Sequence, residues 1–225
     1  MKPSTRTAGS SVKVSVPWWA VLSSTVAPVL LIGGWTLAAR RQPIGFDSTV
    51  DTISALAARG ATDRWLMTAA LIGVGVCHVV TALGLSQPAR AGRIVLGLGG
   101  VATALVAVFP LPIAGPAPEH AVVAGLAFAA LAVWPAFAWR RHSRSPAGLY
   151  PAVLRPVVAF AAAVVLLGLV GWFTTTLTGV GPTGLAERVA AGAQACWPLV
   201  VVLSCRRSSR ADAGAAGRDT SGPVK

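Results

Sequence analysis

Six long stretches without a charged residue constrain the fold of this chain more than any other feature. They cover residues 14–39, 65–86, 94 to about 109, 121–139, 156 to about 178, and 189–205. A helix needs about 20 apolar residues to cross a hydrocarbon layer of ~30 Å, and the third and sixth stretches are near the lower limit. Their near-continuous Ala, Leu, Val and Gly shows no two-residue alternation, which favours helices over a closed barrel of strands. The pattern predicts an all-α polytopic membrane protein with a bundle of six transmembrane helices.

The charged residues lie outside these stretches, in the segments that connect them and before the first and after the last of them. Only 12% of the chain is charged, whereas a soluble domain typically carries about 25%. The net charge of +12 would suggest nucleic acid in a soluble protein. Here the basic residues follow membrane topology instead, so the sequence predicts a lipid bilayer as partner and no nucleic acid.

The distribution of Lys and Arg predicts the orientation. With the N-terminus inside, fourteen of the 19 basic residues fall on the cytoplasmic side. We therefore expect both termini in the cytoplasm and the chain in the cell (inner) membrane. The predicted parts are a cytoplasmic segment 1–13, a six-helix domain 14–207 and a disordered cytoplasmic tail 208–225. Arg outnumbers Lys sixteen to three and Ala is abundant, a composition typical of bacteria with GC-rich genomes.

The longest outer loop, residues 40–64, contains a helix signal. Ser48 and Asp51 have the spacing of a capping box, in which a hydroxyl and an acid satisfy the first N–H groups of a helix. Val50, Ile53 and Ala57 then share one face at helical spacing. This pattern predicts a short amphipathic helix lying on the outer membrane surface.

Each of the three inward-running helices is expected to begin with an acid beside a charged or titratable residue. One interpretation is that these acids only complement the positive N-termini of the helices. The other is a polar site at the outer membrane boundary. Its candidate ligand-binding residues are Asp47, Ser54, Asp63, Arg64, His120, Glu187 and Arg188. The catalytic residues are unknown, with His120, Asp51 and Glu187 as candidates.

Several chemistries lack their sequence patterns. The chain has no Gly-rich phosphate loop, no H-E-x-x-H and no G-x-S-x-G. Of its three histidines, His120 is outer, His142 is on the cytoplasmic side, and His78 lies deep in the second predicted helix, where packing is the simpler interpretation. No metal and no cofactor are predicted. A site joining His120 to Asp51, Asp63 or Glu187 stays open, for a metal or for acid–base chemistry.

Short motifs in a fixed order resemble one membrane family. They are Phe46-Asp47-Ser48-Thr49-Val50-Asp51-Thr52-Ile53-Ser54-Ala55-Leu56, then Trp65-Leu66-Met67 and Ala82-Leu83-Gly84-Leu85, then Phe109-Pro110 with His120, and finally Gly184-Leu185-Ala186-Glu187-Arg188 with Trp197. Over roughly residues 20–207 the chain resembles the bacterial and archaeal family called domain of unknown function 998, with Phe46 and Ser48 where that family has Tyr and Pro. The resemblance implies a six-helix bundle and no particular reaction. It adds weight to Asp47, Ser54, His120, Glu187 and Arg188 as a site.

Three functions are compatible with these observations. The leading hypothesis is a membrane protein that binds a lipid or other amphiphile at a polar site on its extracytoplasmic face. The alternatives are a membrane-embedded enzyme that acts on a lipid or isoprenoid substrate by acid–base chemistry, and a structural or regulatory subunit of a membrane complex. Protein partners remain unknown from the sequence.

Overall fold

The computed structural model describes residues 15–140, 151–179 and 181–219, with side chains described as far as residue 211. The predicted cytoplasmic segment 1–13, His142 and the last six residues lie outside the described residues.

Seven α-helices and one short 3-10 helix make up the described chain, and six of the α-helices are long and apolar enough to cross a membrane. The prediction of an all-α, polytopic six-helix bundle is confirmed. The helices are α1 (Trp18–Ala39), α2 (Ile53–Leu56), α3 (Trp65–Gly84), α4 (Arg90–Val108), α5 (Pro118–Ala138), α6 (Pro156–Thr176) and α7 (Thr183–Asp219), with the 3-10 helix at Ala152–Leu154.

The long helices form a closed ring. They pack in the order α1, α3, α4, α5, α6 and α7, and α7 packs back against α1. The α3–α4 contact depends on two glycines, because a Cβ added to Gly75 would lie 2.5 Å from the Gly100 carbonyl oxygen. Small residues let backbones approach in lipid, where van der Waals packing holds helices together.

Both ends of the helical domain lie at the same end of the bundle. A Cβ on Gly84, at the end of α3, would lie 2.5 Å from Ala20 in the first turn of α1. Gln87, which follows α3, donates hydrogen bonds to the Cys205 carbonyl and the Ser209 hydroxyl of α7, at 3.4 and 2.7 Å. We call this end the basic end because α4 begins there with Arg90. The opposite end, which carries residues 40–64, is the loop end.

The short helix of the loop end differs from its prediction. Its N-cap is Thr52, whose hydroxyl accepts a hydrogen bond from the Ala55 N–H at 3.0 Å, so the predicted capping box of Ser48 and Asp51 is wrong. The Asp51 carboxylate instead accepts from the Asp47 N–H at 2.8 Å, which uses it within the loop. Ile53 is buried, as are Leu56 and Ala57, so the apolar face of α2 points into the bundle and not into the membrane surface.

Two helices are longer than their apolar stretches. Helix α4 begins at Arg90, four residues before its predicted start at Ile94, and α7 runs past residue 208, where the predicted tail begins. The backbone of α7 is helical through Asp219, which lies within the region 208–225 where the sequence predicts a disordered tail. The residues of this region include Arg and Ala, which are good helix formers. The Ser208 hydroxyl also donates a hydrogen bond to the Ser204 carbonyl at 3.2 Å.

Candidate functional site

The loop end is closed by residues 47–57, which we call the loop segment. The N-terminal end of α7 contacts the inner side of this segment through Glu187, whose side chain is only 3% exposed. Its carboxylate accepts one hydrogen bond from the Ile53 N–H and another from the Ser54 hydroxyl at 3.2 Å. A buried carboxylate is stable only when such donors surround it, so Glu187 fixes α2 over the bundle.

Arg188 holds the other half of the loop segment. Its Nη1 donates to the carbonyls of Ser48 and Asp51, each at 2.7 Å, and to the Gly184 carbonyl at 2.9 Å. Backbone N–H groups of Gly184 and Leu185 also donate to loop carbonyls, each at 3.0 Å. The second guanidinium nitrogen, Nη2, is buried and has no hydrogen-bond partner among the described residues.

Gly184 makes this attachment possible. A Cβ at this position would lie 2.2 Å from the Asp51 carbonyl oxygen and 2.7 Å from that of Ser48. No side chain fits there, so the backbone of α7 contacts the backbone of the loop segment directly.

Asp47 and Asp51 organise the loop segment itself. The Asp47 carboxylate accepts hydrogen bonds from the N–H and the hydroxyl of Thr49, both at 2.8 Å. Both hydrogen bonds lower the pKa of Asp47 below its ordinary value, and the bond from the Thr49 N–H has the larger effect. Both carboxylates accept hydrogen bonds from backbone N–H groups of the loop segment. We therefore assign Asp47 and Asp51 a structural role in the site.

A cavity of about 60 Å³ lies beneath the loop segment, inside the ring of helices. We call it the chamber. Most of its wall is apolar, with Leu71, Val106 and Phe128 among the lining residues, and Ser54 and Glu187 line its outer part. At roughly 10–15 Å³ per water, the space corresponds to about four to six waters.

The deep part of the chamber carries three polar side chains, His78, Thr103 and Gln194. Thr103 donates to the Gly99 carbonyl at 2.8 Å, and Gln194 donates to the Phe128 carbonyl at 2.9 Å. His78 is 1% exposed, and neither of its ring nitrogens has a hydrogen-bond partner among the residues that the structure describes. Buried polar groups in native proteins are nearly always paired, so an unpaired imidazole facing a cavity points to water or to a ligand.

The structure brings together only part of the predicted site. The residues that lie in one connected set, at the N-terminal end of α7, are Asp47, Asp51, Ser54, Glu187 and Arg188. The remaining predicted residues, Asp63, Arg64 and His120, lie elsewhere at the loop end and do not line the chamber.

Each of these three residues has local contacts. Nδ1 of His120 is 2.8 Å from the Phe109 carbonyl, and no hydrogen bond or ion pair joins His120 to an acid within the described ranges. Asp63 is 3.9 Å from the exposed Arg41 guanidinium. Arg64 donates through Nε to the Ala57 carbonyl at 3.3 Å. The hypothesis of His120 paired with a carboxylate gains no support from these contacts.

Sequence reasoning gave little weight to His78 and none to Gln194 or Thr103. The sequence contained one indication of Gln194. This residue follows Glu187 by seven positions, so the two side chains lie on the same face of α7. That spacing places the amide about 10 Å deeper in the bundle. Polar residues inside a membrane helix are functional candidates by default.

The groups that this set offers to a ligand are hydrogen-bonding side chains and apolar helix walls. Where side chains are described, no three His, Cys, Asp or Glu residues group as a metal site would require. Both oxygens of Glu187 already accept hydrogen bonds from the loop segment. The set therefore combines a fixed polar cover with an apolar chamber and a deep imidazole.

Comparison with known proteins gives one result that bears on identity. No curated protein and no solved structure matches the chain. The model of the family DUF998, described as a protein of unknown function, matches residues 25–204, which contain four of the six membrane-crossing helices entirely and most of α1 and of the α7 span. The chain is therefore a multi-pass membrane protein that belongs to the DUF998 family.

Proposed function

We propose that this protein binds a small amphiphile in the chamber, with an apolar body against the helix walls and a hydrogen-bonding group at His78. The single observation that carries the proposal is the fully buried imidazole of His78 beside a cavity, for which the described part of the chain supplies no hydrogen-bond partner. Ligand sites typically combine apolar walls with a few converging polar groups.

The lining residues fit such a ligand. Leu71, Val106 and Phe128 would contact its apolar body, and the amide of Gln194 adds a second polar group at the deep end. The present volume holds a few waters or one end of a longer molecule. A larger amphiphile would require the loop segment to move, and that segment is held mainly by hydrogen bonds to Glu187 and Arg188.

We also propose that the basic end faces the cytoplasm of the cell (inner) membrane, which places the loop segment on the extracytoplasmic side. Arg90, Arg93 and Arg140 at the basic end support this orientation by the positive-inside rule. The chamber would then receive its ligand from the outer side or the outer leaflet.

Mass spectrometry of the protein extracted in native lipid discs tests the proposal. We expect the wild type to carry one amphiphile enriched over the bulk membrane, and the variant His78→Phe to lose it. Thr81→Val is the matched control, since Thr81 is buried on the same helix but pairs with Ser23 outside the chamber, at 2.8 Å. The proposal would be refuted if the wild type carried only bulk lipid. It would also be refuted if His78→Phe carried the amphiphile at the same enrichment as the wild type.

A further inference from the structure

A second surface, far from the chamber, combines cationic and apolar groups. It is a groove at the basic end, between the C-terminal half of α3 and the start of α4, which encloses about 500 Å³. Arg90, Arg93 and Arg140 line it, together with Leu83 and Ile94. Both apolar side chains are more than half exposed on helices that cross the membrane, so lipid chains contact this wall.

The fold brings these arginines together from separate helices. The Ala89 N–H donates to the Ala138 carbonyl at 3.0 Å, which joins the start of α4 to the end of α5. Gly92 permits this approach, because a Cβ there would lie 2.5 Å from the Ala138 Cα. Arg140, which follows α5, is thereby placed in the same groove as Arg90.

The three cations differ in their present partners. Arg93 donates to the carbonyls of Ala82 and Leu83 at the end of α3, at 3.0 and 3.1 Å, and so is held in place. Arg90 and Arg140 are exposed. No Asp or Glu is among the residues that line the groove, and no ion pair to either side chain occurs in the described parts of the chain. Among the described side chains, no acid therefore compensates the positive charge beside this apolar wall.

We propose that this groove binds an anionic phospholipid, with its phosphate at Arg90 and Arg140 and one acyl chain along Leu83 and Ile94. A guanidinium group can donate two parallel hydrogen bonds to the oxygens of one phosphate. The N-terminus of α4 adds the positive end of the helix dipole. Basic pockets between membrane helices recognise anionic headgroups in this way. The lipid-facing position of the groove favours a phospholipid over a soluble anion.

The inference is independent of the proposed function, since chamber and groove share no lining residue. Its test uses the full chain in discs of phosphatidylglycerol mixed with phosphatidylcholine, with bound lipid counted by native mass spectrometry. We expect the wild type to retain phosphatidylglycerol preferentially. The double variant Arg90→Gln/Arg140→Gln should weaken that retention by roughly thirtyfold, as each cation near the surface contributes about fivefold.

The matched control is Arg40→Gln/Arg59→Gln, which removes two exposed arginines at the loop end. We expect this pair of substitutions to retain phosphatidylglycerol as the wild type does. Equal losses in the two double variants would mean a general effect of protein charge and would overturn the proposal. Absence of any preference for phosphatidylglycerol in the wild type would overturn it as well.

Discussion

The Glu187 carboxylate accepts a hydrogen bond from the Ser54 hydroxyl, 133 positions earlier in the chain, at 3.2 Å. The contact joins the loop segment to the N-terminal end of the last membrane helix. Ser54 and Glu187 also line the chamber, so the bond that holds the cover of the cavity forms part of its wall.

Replacing Glu187 should release the loop segment. In Glu187→Ala the Ile53 N–H and the Ser54 hydroxyl lose their acceptor, and each buried unsatisfied group costs about 1–3 kcal/mol. We expect a lower free energy of unfolding and faster amide hydrogen exchange across residues 52–57. Glu119→Ala is the control, because Glu119 is an exposed acid in the first turn of α5 and the loss of its interaction with the helix N-terminus should cost only about 0.3–1 kcal/mol. Unchanged exchange in Glu187→Ala would show that the loop segment is held by other contacts.

A methyl group at Gly184 should separate the loop segment from α7. The added Cβ would lie 2.2 Å from the Asp51 carbonyl oxygen, both partners are backbone, and overpacking of this kind typically costs about 1–3 kcal/mol. Thermal unfolding of Gly184→Ala in detergent measures the loss. In the control Gly125→Ala, nothing lies within 4 Å of the new Cβ, and higher helix propensity should leave stability equal or slightly greater. A Gly184→Ala protein as stable as Gly125→Ala would contradict the close contact.

Stability and ligand binding should respond in opposite directions at His78. An imidazole with two unpartnered nitrogens is costly inside the bundle, so the apolar ring of His78→Phe should leave the ligand-free protein as stable as the wild type or more stable by about 1 kcal/mol. Thermal unfolding in detergent, after removal of bound amphiphile, checks this. A loss of more than about 2 kcal/mol would mean that His78 forms a polar contact that stabilises the fold.

The proposed orientation predicts which arginine positions are accessible from outside the cell. In a chain with Cys77, Cys196 and Cys205 replaced by serine, Arg59→Cys should react with a membrane-impermeant maleimide on intact cells. Arg90→Cys, at the opposite end of the bundle, should react only after the membrane is opened. Both positions are exposed, so access alone separates them. The reverse pattern of labelling would place the basic end outside.

Much of the fold follows from local sequence. Long uncharged stretches are sufficient to predict six membrane helices, because a backbone in lipid must satisfy its own hydrogen bonds within each segment. The ends of helices are less local. Helix α4 includes Arg90 and Arg93 before its apolar stretch, since Arg93 binds carbonyls at the end of α3. Only a neighbouring helix supplies that contact.

The sequence by itself determined the membrane class, the helix count and the pair Glu187-Arg188 as part of a polar set at the loop end. Tertiary structure decided which candidates meet. Ile53 and Leu56 are buried over the bundle, and His120 contacts the Phe109 carbonyl instead of an acid. His78 and Gln194 both line the chamber. The physical reason is that hydrophobicity is a property of each segment. The partners of a buried polar group, in contrast, are set by packing between segments that are distant in the chain.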